Sequence, residues 1–495
     1  MRLLRSIVGG SVRRAAELAV ACSVLAAALP ALAGQALDDR VERTVSAGAL
    51  RRANVGVHVV ALGSGRVVYA RNATRRFIVA SNEKLVTAAA ALETLGEGYE
   101  FVTAVYARGS MAKGVLRGDL VLRGGGDPTL GGRYEHENAL DIFRRWAKVL
   151  KAKGLHRVTG DIVADDTFFD RVYRHPNWSE DQAWKWYYPS TSALSANDNC
   201  VTITVRPGPS AGAPALLSAS PGSAPVELLN QCRTSSKGHS IWFDRKPGSN
   251  AITVGGLVRQ GSAGYSQQVT VPSPPLYVAR LFKEALEASG IGVDGGVRLA
   301  KREEGVLAAR TEPLCIRRTS LVPVLRTMAK NSHNHYAEQV IKTVGAKASG
   351  TGSWEAGLSA AARMLRSMGL RDTEFALDDG SGLSRRDRLT PAALTTLLLK
   401  MRDSEHGATF VSLLPVAGED GTLQKRLTAR PYRGNVRAKT GYVSGVGALS
   451  GYARTRGGIE VAFSILINDT VNPPGTYSMR ETLDSICRAI VDCAE

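Results

Sequence analysis

Cysteine and histidine are scarce in this chain, which holds six and eight of them among its 495 residues. The cysteines show no C-x-x-C spacing and the histidines form no H-E-x-x-H motif, so we expect neither a metal site nor a cofactor. Zinc-finger, helix-turn-helix and RNA-binding motifs are also missing. The formal net charge is +18, but the basic residues are scattered, and we therefore expect no nucleic-acid partner. A basic protein of this kind can meet anionic wall polymers or lipid headgroups, or the charge can serve solubility alone.

Beyond the N-terminus, the sequence has no apolar run long enough to cross a membrane, and thus no stable transmembrane anchor is expected. The N-terminus carries arginines, then an apolar run from Leu18 to Leu29, then Ala31-Leu32-Ala33. This pattern predicts a signal peptide over residues 1–33 and an exported, periplasmic protein. A retained membrane anchor is the alternative, and loose association with the membrane or the wall is left open.

Five cysteines follow residue 33, and an exported protein can form disulfides. We expect a bridge between Cys200 and Cys232. A second bridge, between Cys487 and Cys493, is possible across a helix end. Cys315 would then be the unpaired thiol, buried and unreactive.

Ser81-Asn82-Glu83-Lys84 is the first of three short motifs that carry chemistry. On a helix, the spacing of three residues places Ser81 and Lys84 on one face. The apolar run that follows predicts a buried helix with Ser81 near its N-terminus, where backbone N–H groups favour negative charge. A serine hydroxyl needs a base to take its proton. Lys84 can be that base only if burial or a second cation lowers its pKa.

Ser332-His333-Asn334 and Lys439-Thr440-Gly441 are the second and third motifs. The hydroxyl of Ser332 can pass a proton to a leaving amine, and the amide of Asn334 can hold a substrate carbonyl. The third motif lies in a predicted strand whose N–H groups can pair with an extended peptide. Lys439 would be the second cation beside Lys84, while Gly441 lets the peptide backbone approach closely.

Each motif alone occurs by chance in many chains, but the three together supply a nucleophile, a base, a proton relay and an anion clamp. These are the parts of an acyl-transfer enzyme that has no catalytic histidine. The backbone N–H groups of Ser81 and Tyr442 would be the oxyanion donors.

The motifs and their surroundings resemble the class C low-molecular-mass penicillin-binding proteins, the D-Ala-D-Ala carboxypeptidase/endopeptidase family. The wide gap between Ser81 and Ser332 is typical of this class, as are several segments outside the motifs. These segments are Gly118-Asp119-Leu120, Gly124-Gly125-Gly126-Asp127-Pro128-Thr129-Leu130, Gly160-Asp161-Ile162-Val163-Ala164-Asp165-Asp166, Asp379-Gly380-Ser381-Gly382-Leu383-Ser384-Arg385 and Leu414-Pro415-Val416-Ala417-Gly418.

Two residues depart from the family's pattern. Tyr442 follows the third motif where Thr or Ser is common, which moves a hydroxyl away from the substrate carboxylate. His333 replaces an expected Asp or Asn, and we expect its side chain to point away from Ser332 with little effect.

The resemblance implies an α/β (α+β) fold, in which a penicillin-binding-protein/β-lactamase-like catalytic domain is split by a large β-rich insertion. We place the two catalytic parts at residues 34–100 and 311–495, and the inserted β-rich region at 101–310. A single helix is expected in the insertion, near residues 277–289. The chain should end in two strands, at 437–454 and 459–468, and a helix. We expect the insertion to guide crosslinked substrate and to do no chemistry.

The resemblance further implies a serine D,D-peptidase that cleaves D-Ala-D-Ala termini, D-Ala–diamino-acid crosslinks of peptidoglycan, or both, and that is acylated by β-lactams. Ser81, Lys84, Ser332 and Lys439 would be catalytic. The substrate would be held by Asn334, Thr440, Gly441 and Tyr442. A β-lactamase or esterase on the same scaffold is one alternative, and a non-catalytic wall-binding protein is another. Oligomeric state is left open.

Overall fold

The computed structural model describes residues 37–46, 53–222, 226–246, 248–302, 312–469 and 476–493, and the predicted signal peptide lies outside these ranges. The strands, in chain order, are β1 Asn54–Ala61, β2 Val67–Arg71, β3 Phe77–Ile78, β4 Glu100–Ala112, β5 Val115–Arg123, β6 Arg157–Val158, β7 Ile162–Asp165, β8 Cys200–Arg206, β9 Leu216–Ser220, β10 Glu227–Ser235, β11 Ser240–Asp244, β12 Ala251–Arg259, β13 Tyr265–Thr270, β14 Gly292–Val293, β15 Val297–Leu299, β16 Cys315–Ser320, β17 Phe375–Ala376, β18 Arg388–Leu389, β19 Arg437–Val443, β20 Val446–Arg454 and β21 Glu460–Asn468.

The helices are α1 at residues 37–46, α2 Glu83–Leu95, α3 Ala139–Ala152, α4 Pro274–Ala288, α5 Leu321–Lys330, α6 Asn334–Ser349, α7 Trp354–Ser367, α8 Pro391–Asp403, α9 Gly407–Leu413 and α10 Thr476–Val491. Short 3₁₀ turns at Ala80–Asn82 and Gly421–Leu423 matter for the site described below. None of the helices in the described ranges has the length and apolar character needed to cross a bilayer.

A five-stranded antiparallel sheet in the order β19-β20-β21-β1-β2 joins the two ends of the chain. Strands β1 and β2 form an antiparallel hairpin around residues 63–65. The single strand expected at 437–454 is wrong, because a turn at Ser444 and Gly445 divides it into β19 and β20. Gly445 has φ +75, a left-handed conformation that favours glycine.

Helices cover both faces of this sheet. On one face, side chains of β20 and β21 share a core with α2 and α5–α9. On the other face, alternate residues of β1 and β21 pack with α1 and α10. Successive side chains along a strand point to opposite faces of the sheet. The same strands therefore contribute side chains to the cores on both faces. The mixed α/β fold class is therefore confirmed.

The alanine-rich helix α2 lies at the centre of the larger core. Its residues from Glu83 to Leu92 are all buried. Small side chains allow the neighbouring helices and the sheet to approach on every side, and a helix that is apolar all round is a buried one. The N-terminus of α2, and with it Ser81, is thereby fixed at the junction of sheet and helices.

The chain between β4 and β16 forms a seven-stranded sheet, two three-stranded sheets and helices α3 and α4 around a core of its own. The strand β16 returns to pair with β4, so both ends of this region meet in one sheet. The sequence reasoning missed α3. Its apolar residues Ile142, Phe143, Trp146 and Leu150 are buried at helical spacing, and charged residues between them obscured the pattern.

The expected disulfides are wrong, because the five cysteines in the described ranges are all free and buried. Cys200 begins β8, whereas Cys232 lies on β10 in a different sheet. Both contribute to the apolar core of this region, and Cys487 and Cys493 belong to the core beneath the five-stranded sheet. Burial raises the pKa of Cys315 to about 11, which keeps this thiol protonated and unreactive.

We predict that all five of these thiols react with iodoacetamide when the protein is unfolded in guanidinium without a reductant. Mass spectrometry of the alkylated chain checks this prediction, with a parallel sample reduced before alkylation as the control. Modification of Cys200 and Cys232 only after reduction would show that they are bridged.

Candidate functional site

The three motifs meet where α2, α6 and β19 converge. Ser81 lies in the 3₁₀ turn before α2, and Lys84 lies in the first turn of that helix. Ser332 lies in the short connection between α5 and α6, and Asn334 is the first residue of α6. Lys439 lies on β19, the terminal strand of the five-stranded sheet. Sequence positions separated by hundreds of residues thus form one site.

Lys84 is buried and joins three segments through its ammonium group. Its Nζ donates to Oγ of Ser81 at 3.0 Å, to Oδ1 of Asn334 at 2.8 Å and to the carbonyl of Ser381 at 2.6 Å. These three acceptors use all three donors of a charged lysine. If the amine is neutral, one of these positions becomes a lone pair that can accept the Ser81 proton.

Lys439 makes a second lysine–serine pair beside the first. Its Nζ donates to Oγ of Ser332 at 2.9 Å and to the carbonyl of Thr440 at 2.8 Å. Lys439 is fully buried. The site therefore has two hydroxyls, each within hydrogen-bond distance of an amine.

Burial lowers the pKa of Lys84 to about 8, although four buried carboxylates oppose this change. Their effects decrease in the order Asp379, Glu338, Glu83 and Asp387. A lysine with this pKa is neutral in about a tenth of molecules at pH 7. It is accordingly able to take a proton from a hydroxyl and to return one.

The pKa of Lys439 is lowered well below its usual value, first by burial and then by repulsion from charged Lys84. We expected the opposite arrangement, with a charged Lys439 lowering the pKa of Lys84. The carboxylates explain the difference, because they surround Lys84 and favour its charge. Among the described residues, none of these carboxylates is a cause of the shift in the pKa of Lys439. Lys439 therefore lacks the neighbouring negative charge that supports the ammonium form of Lys84.

Asp379 organises the loop that carries the Ser381 carbonyl. Its carboxylate accepts the backbone N–H groups of Ser381, Gly382 and Ser384 at 2.6–2.9 Å, and the indole N–H of Trp178 at 2.7 Å. These contacts give the aspartate a turn-stabilising role. Its position near Lys84 was missed, although the surrounding segment was recognised as typical of the family.

Glu338 on α6 holds the same loop from the other side. Its Oε2 accepts the N–H of Gly380 at 3.0 Å and the indole N–H of Trp354 at 2.7 Å. Burial and then the charge of Asp379 raise the pKa of Glu338 to about 8. The sequence contains no motif that points to Glu338, whose role follows only from the packing of α6 on the loop.

Two residues other than glycine, Ala80 and Ser332, adopt the left-handed backbone conformation in this site. Ala80, immediately before Ser81, has φ +46, and Ser332 has φ +56. Such a backbone costs on the order of 1–3 kcal/mol each and persists only when its surroundings hold it. One such restraint is Asn82, whose side chain donates to Oγ of Ser450 at 2.7 Å and ties the turn to β20.

Gly441 allows β19 to lie directly against the turn that carries Ser81. A Cβ at this position would lie 2.9 Å from the carbonyl oxygen of Val79 and 3.1 Å from the amide nitrogen of Ser81. Both neighbours are backbone atoms that cannot move aside. The approach places the third motif beside the amide that we expect to donate to an oxyanion.

A cavity of about 630 Å³ opens beside Ser81. Ser332, Thr440, Gly441 and Tyr442 also line it, whereas Lys84, Lys439 and Asn334 lie behind its wall. The hydroxyl of Thr440 donates to the hydroxyl of Thr422 at 2.8 Å. Thr422, which lies in a 3₁₀ turn of the same wall, was not predicted as a site residue.

The second motif is held by the region between β4 and β16. The side-chain amide of Asn334 donates to the carbonyl of Tyr187 at 2.7 Å. His333 is buried, with Nε2 3.5 Å from Oδ2 of Asp198, and its ring packs on Tyr336. Burial alone would raise the pKa of Asp198, but His333 and then His335 lower it to about 2. His333 is thus an anchor, where we expected little effect.

Comparison with known proteins gives relatives over almost the whole chain. Residues 37–489 match the D-Ala-D-Ala carboxypeptidase 3 (S13) family. A D-alanyl-D-alanine carboxypeptidase from an Actinomadura species is 35% identical over 94% of this chain and 88% of its own length. The D-alanyl-D-alanine carboxypeptidase DacB of Haemophilus influenzae is 26% identical over 84% of this chain and 85% of its own.

Among solved structures, penicillin binding protein 4 (dacB) of Haemophilus influenzae superposes with a TM-score of 0.79 at 24% identity. The match covers 91% of this chain and 97% of that one. A likeness at this identity shows a shared fold, and it agrees with the architecture described above.

The electrostatics of Lys84 generate a test. We predict that Asp379→Asn lowers the pKa of Lys84, because it removes the carboxylate that most favours the ammonium form. The acidic side of the pH profile for penicillin acylation should then move from about pH 8 in the parent protein to lower pH.

The matched control for this test is the neighbouring Asp378→Asn, whose carboxylate is not among the groups that shift Lys84. Stopped-flow acylation rates from pH 5 to 10 give both profiles, and circular dichroism checks folding. A profile of folded Asp379→Asn that stays in place or moves to higher pH would contradict the assignment.

Proposed function

The chain belongs to the D-Ala-D-Ala carboxypeptidase 3 (S13) family and is a serine-type D,D-peptidase, and we propose that Ser81 is its nucleophile. The observation that carries this proposal is the pairing of Lys84 with Ser81 at 3.0 Å and of Lys439 with Ser332 at 2.9 Å. A nucleophile within reach of a base whose pKa approaches neutrality is the arrangement that acyl transfer requires.

In the proposed reaction, Oγ of Ser81 attacks the carbonyl carbon between D-alanine and its leaving group, and Lys84 takes the hydroxyl proton. Ser332 and Lys439 pass a proton to the leaving nitrogen as the carbon–nitrogen bond breaks. Water then attacks the ester, which releases a peptide carboxylate and restores the Ser81 hydroxyl. The lowered pKa of Lys439 suits it to such a relay, since a buried amine that holds its proton less tightly can both release and accept one.

The backbone N–H groups of Ser81 and Tyr442 are the proposed donors to the tetrahedral oxyanion. Support comes from Gly441, which brings β19 against the Ser81 amide. Asn334 is fixed by Lys84 and Tyr187 and would hold the acyl-donor peptide. Thr440 with Lys439 would hold the carboxylate beside the scissile bond. The terminal position of β19 in its sheet leaves an edge on which an extended peptide can pair.

The proposed substrates are D-Ala-D-Ala termini and D-Ala–diamino-acid crosslinks of peptidoglycan, and the proposed inhibitors are β-lactams. A structure of the Haemophilus influenzae relative is complexed with a β-lactam. We also propose that residues 1–33 direct export to the periplasm, where a basic protein can meet the anionic wall. The proposed division into catalytic parts at 34–100 and 311–495 and an insertion at 101–310 is supported by the separate cores.

We predict that labelled penicillin acylates Ser81, because its strained carbonyl takes the place of the scissile amide. Ser81→Ala should abolish labelling, with Ser444→Ala, at an exposed turn residue, as the matched control that keeps it. Peptide mapping by mass spectrometry locates the adduct. Labelling that persists in Ser81→Ala, or that maps to another serine, would overturn the proposal.

The same experiment also distinguishes a D,D-peptidase from the two alternatives considered from the sequence, a β-lactamase and a non-catalytic wall-binding protein. A D,D-peptidase should hold the penicillin adduct for many minutes, whereas a β-lactamase on this scaffold would hydrolyse penicillin rapidly. A protein that only binds the wall would show no adduct at all.

A further inference from the structure

The cavity beside Ser81 is larger than the proposed reaction with a D-Ala-D-Ala terminus requires. Its volume of about 630 Å³ lies within the roughly 300–1,000 Å³ typical of pockets that hold drug-sized ligands. A leaving D-alanine, bound by its carboxylate at Thr440, would fill only the part nearest Ser81. The remaining volume of the cavity has room for a leaving group larger than D-alanine.

The additional space lies on the leaving-group side of the site. Asn334, the proposed holder of the acyl donor, does not line it. Beyond Thr440 its walls come from the segment after the 3₁₀ turn at Gly421–Leu423 and from α10. A group released from the acyl carbon would therefore extend into this space.

These walls carry an excess of positive charge. Four cations line the cavity, and two of them are neutralised by the two carboxylates that also line it. Arg426 pairs with Asp484 at 2.7 Å, and Arg488 pairs with Glu481.

The other two cations, Lys425 and Arg480, are exposed and have no ion-pair or hydrogen-bond partner among the described residues. They come from opposite walls, one from the segment after the 3₁₀ turn and one from α10. The paired arginines hold these two walls together, because Arg426 and Asp484 belong to different walls. The free charges are thereby kept facing one space.

We propose that Lys425 and Arg480 form a subsite for a second, distant carboxylate on the leaving group, so that this cavity accepts an acidic peptide and not only D-alanine. The fitting occupant is a stem peptide that leaves through the side-chain amine of its diamino acid. Where this diamino acid carries a carboxylate beside its side-chain amine, the peptide has one carboxylate next to the scissile amide and others farther along the chain. This inference rests on the proposed function and extends it toward cleavage of crosslinks.

The replacement of a hydroxyl residue by Tyr442 is consistent with this subsite. The tyrosine is 41% exposed and lines the cavity. The hydroxyl that the third motif often has next to the substrate carboxylate is missing here. The exposed charges of Lys425 and Arg480, which line the same cavity, can add attraction for the substrate elsewhere along it.

The test compares two crosslinked peptide dimers, one with free distal carboxylates on the leaving peptide and one with these carboxylates amidated. The parent protein should cleave the free-acid dimer with the higher kcat/KM. In Lys425→Gln/Arg480→Gln the ratio of the two kcat/KM values should fall about tenfold, the size expected for two exposed ion pairs. The control Lys148→Gln/Arg117→Gln, at exposed positions outside the cavity, should keep the parent ratio.

A binding measurement tests the subsite independently of the proposed catalytic function. In the Ser81→Ala background, calorimetry with the free-acid leaving peptide should show binding that weakens with salt and becomes about tenfold weaker in Lys425→Gln/Arg480→Gln. Equal affinity for the amidated peptide, or an unchanged kcat/KM ratio in the folded double variant, would overturn the subsite. If the parent protein cleaves neither dimer but binding follows the charges, the proposed function fails and the subsite stands.

Discussion

The buried ammonium group of Lys84 is the interaction on which the site depends. Its three hydrogen bonds join the turn that carries Ser81, the start of α6 and the loop at Ser381. A buried charge is costly unless it is paired and hydrogen-bonded, and here both conditions are met by the three acceptors and the carboxylates around Asp379. Loss of the contacts from any one of these segments would leave the buried charge of Lys84 incompletely compensated. The catalytic elements are thus tied together by the same group that we propose as the base.

The carboxylates around Lys84 also explain why two similar lysines differ. Burial lowers the pKa of both, but only Lys84 faces acidic groups that restore part of its basicity. A lysine that keeps its proton in most molecules and loses it in some is suited to exchange protons with Ser81. Lys439, with no such support, is suited to pass protons through Ser332. We therefore propose different roles for the two lysine–serine pairs, although their geometries are alike.

Much of this site could be predicted from the sequence, because the motifs are short and their spacing is local. The placement of Ser81 and Lys84 on one turn, the strand around Lys439 and the buried helix α2 follow from helical and strand periodicity. The partners from distant segments could not be predicted in this way. Glu338, Tyr187 and Asp198 carry no local signal, and their contacts depend on how α6 packs against its neighbours.

The errors have physical causes of the same kind. The cysteines were paired by compartment and proximity in sequence, but the sheets place Cys200 and Cys232 on different strands, where each fills a core. His333 was judged by its motif position alone, and its contact with Asp198 depends on a region far away in the chain. The charge on Lys439 was inferred from its residue type alone, whereas burial of the side chain lowers its pKa.

The acylation rate of Lys84→Ala tests the central claim most directly, because this change removes the group that contacts Ser81 and that we propose as its base. Rapid-quench measurement with a labelled penicillin at pH 7.5 gives this rate, with circular dichroism to verify folding. If Lys84 is the base, the rate should fall by about 10²–10⁴-fold, the contribution typical of general-base catalysis. A folded variant that is acylated within a few-fold of the parent rate would contradict the account.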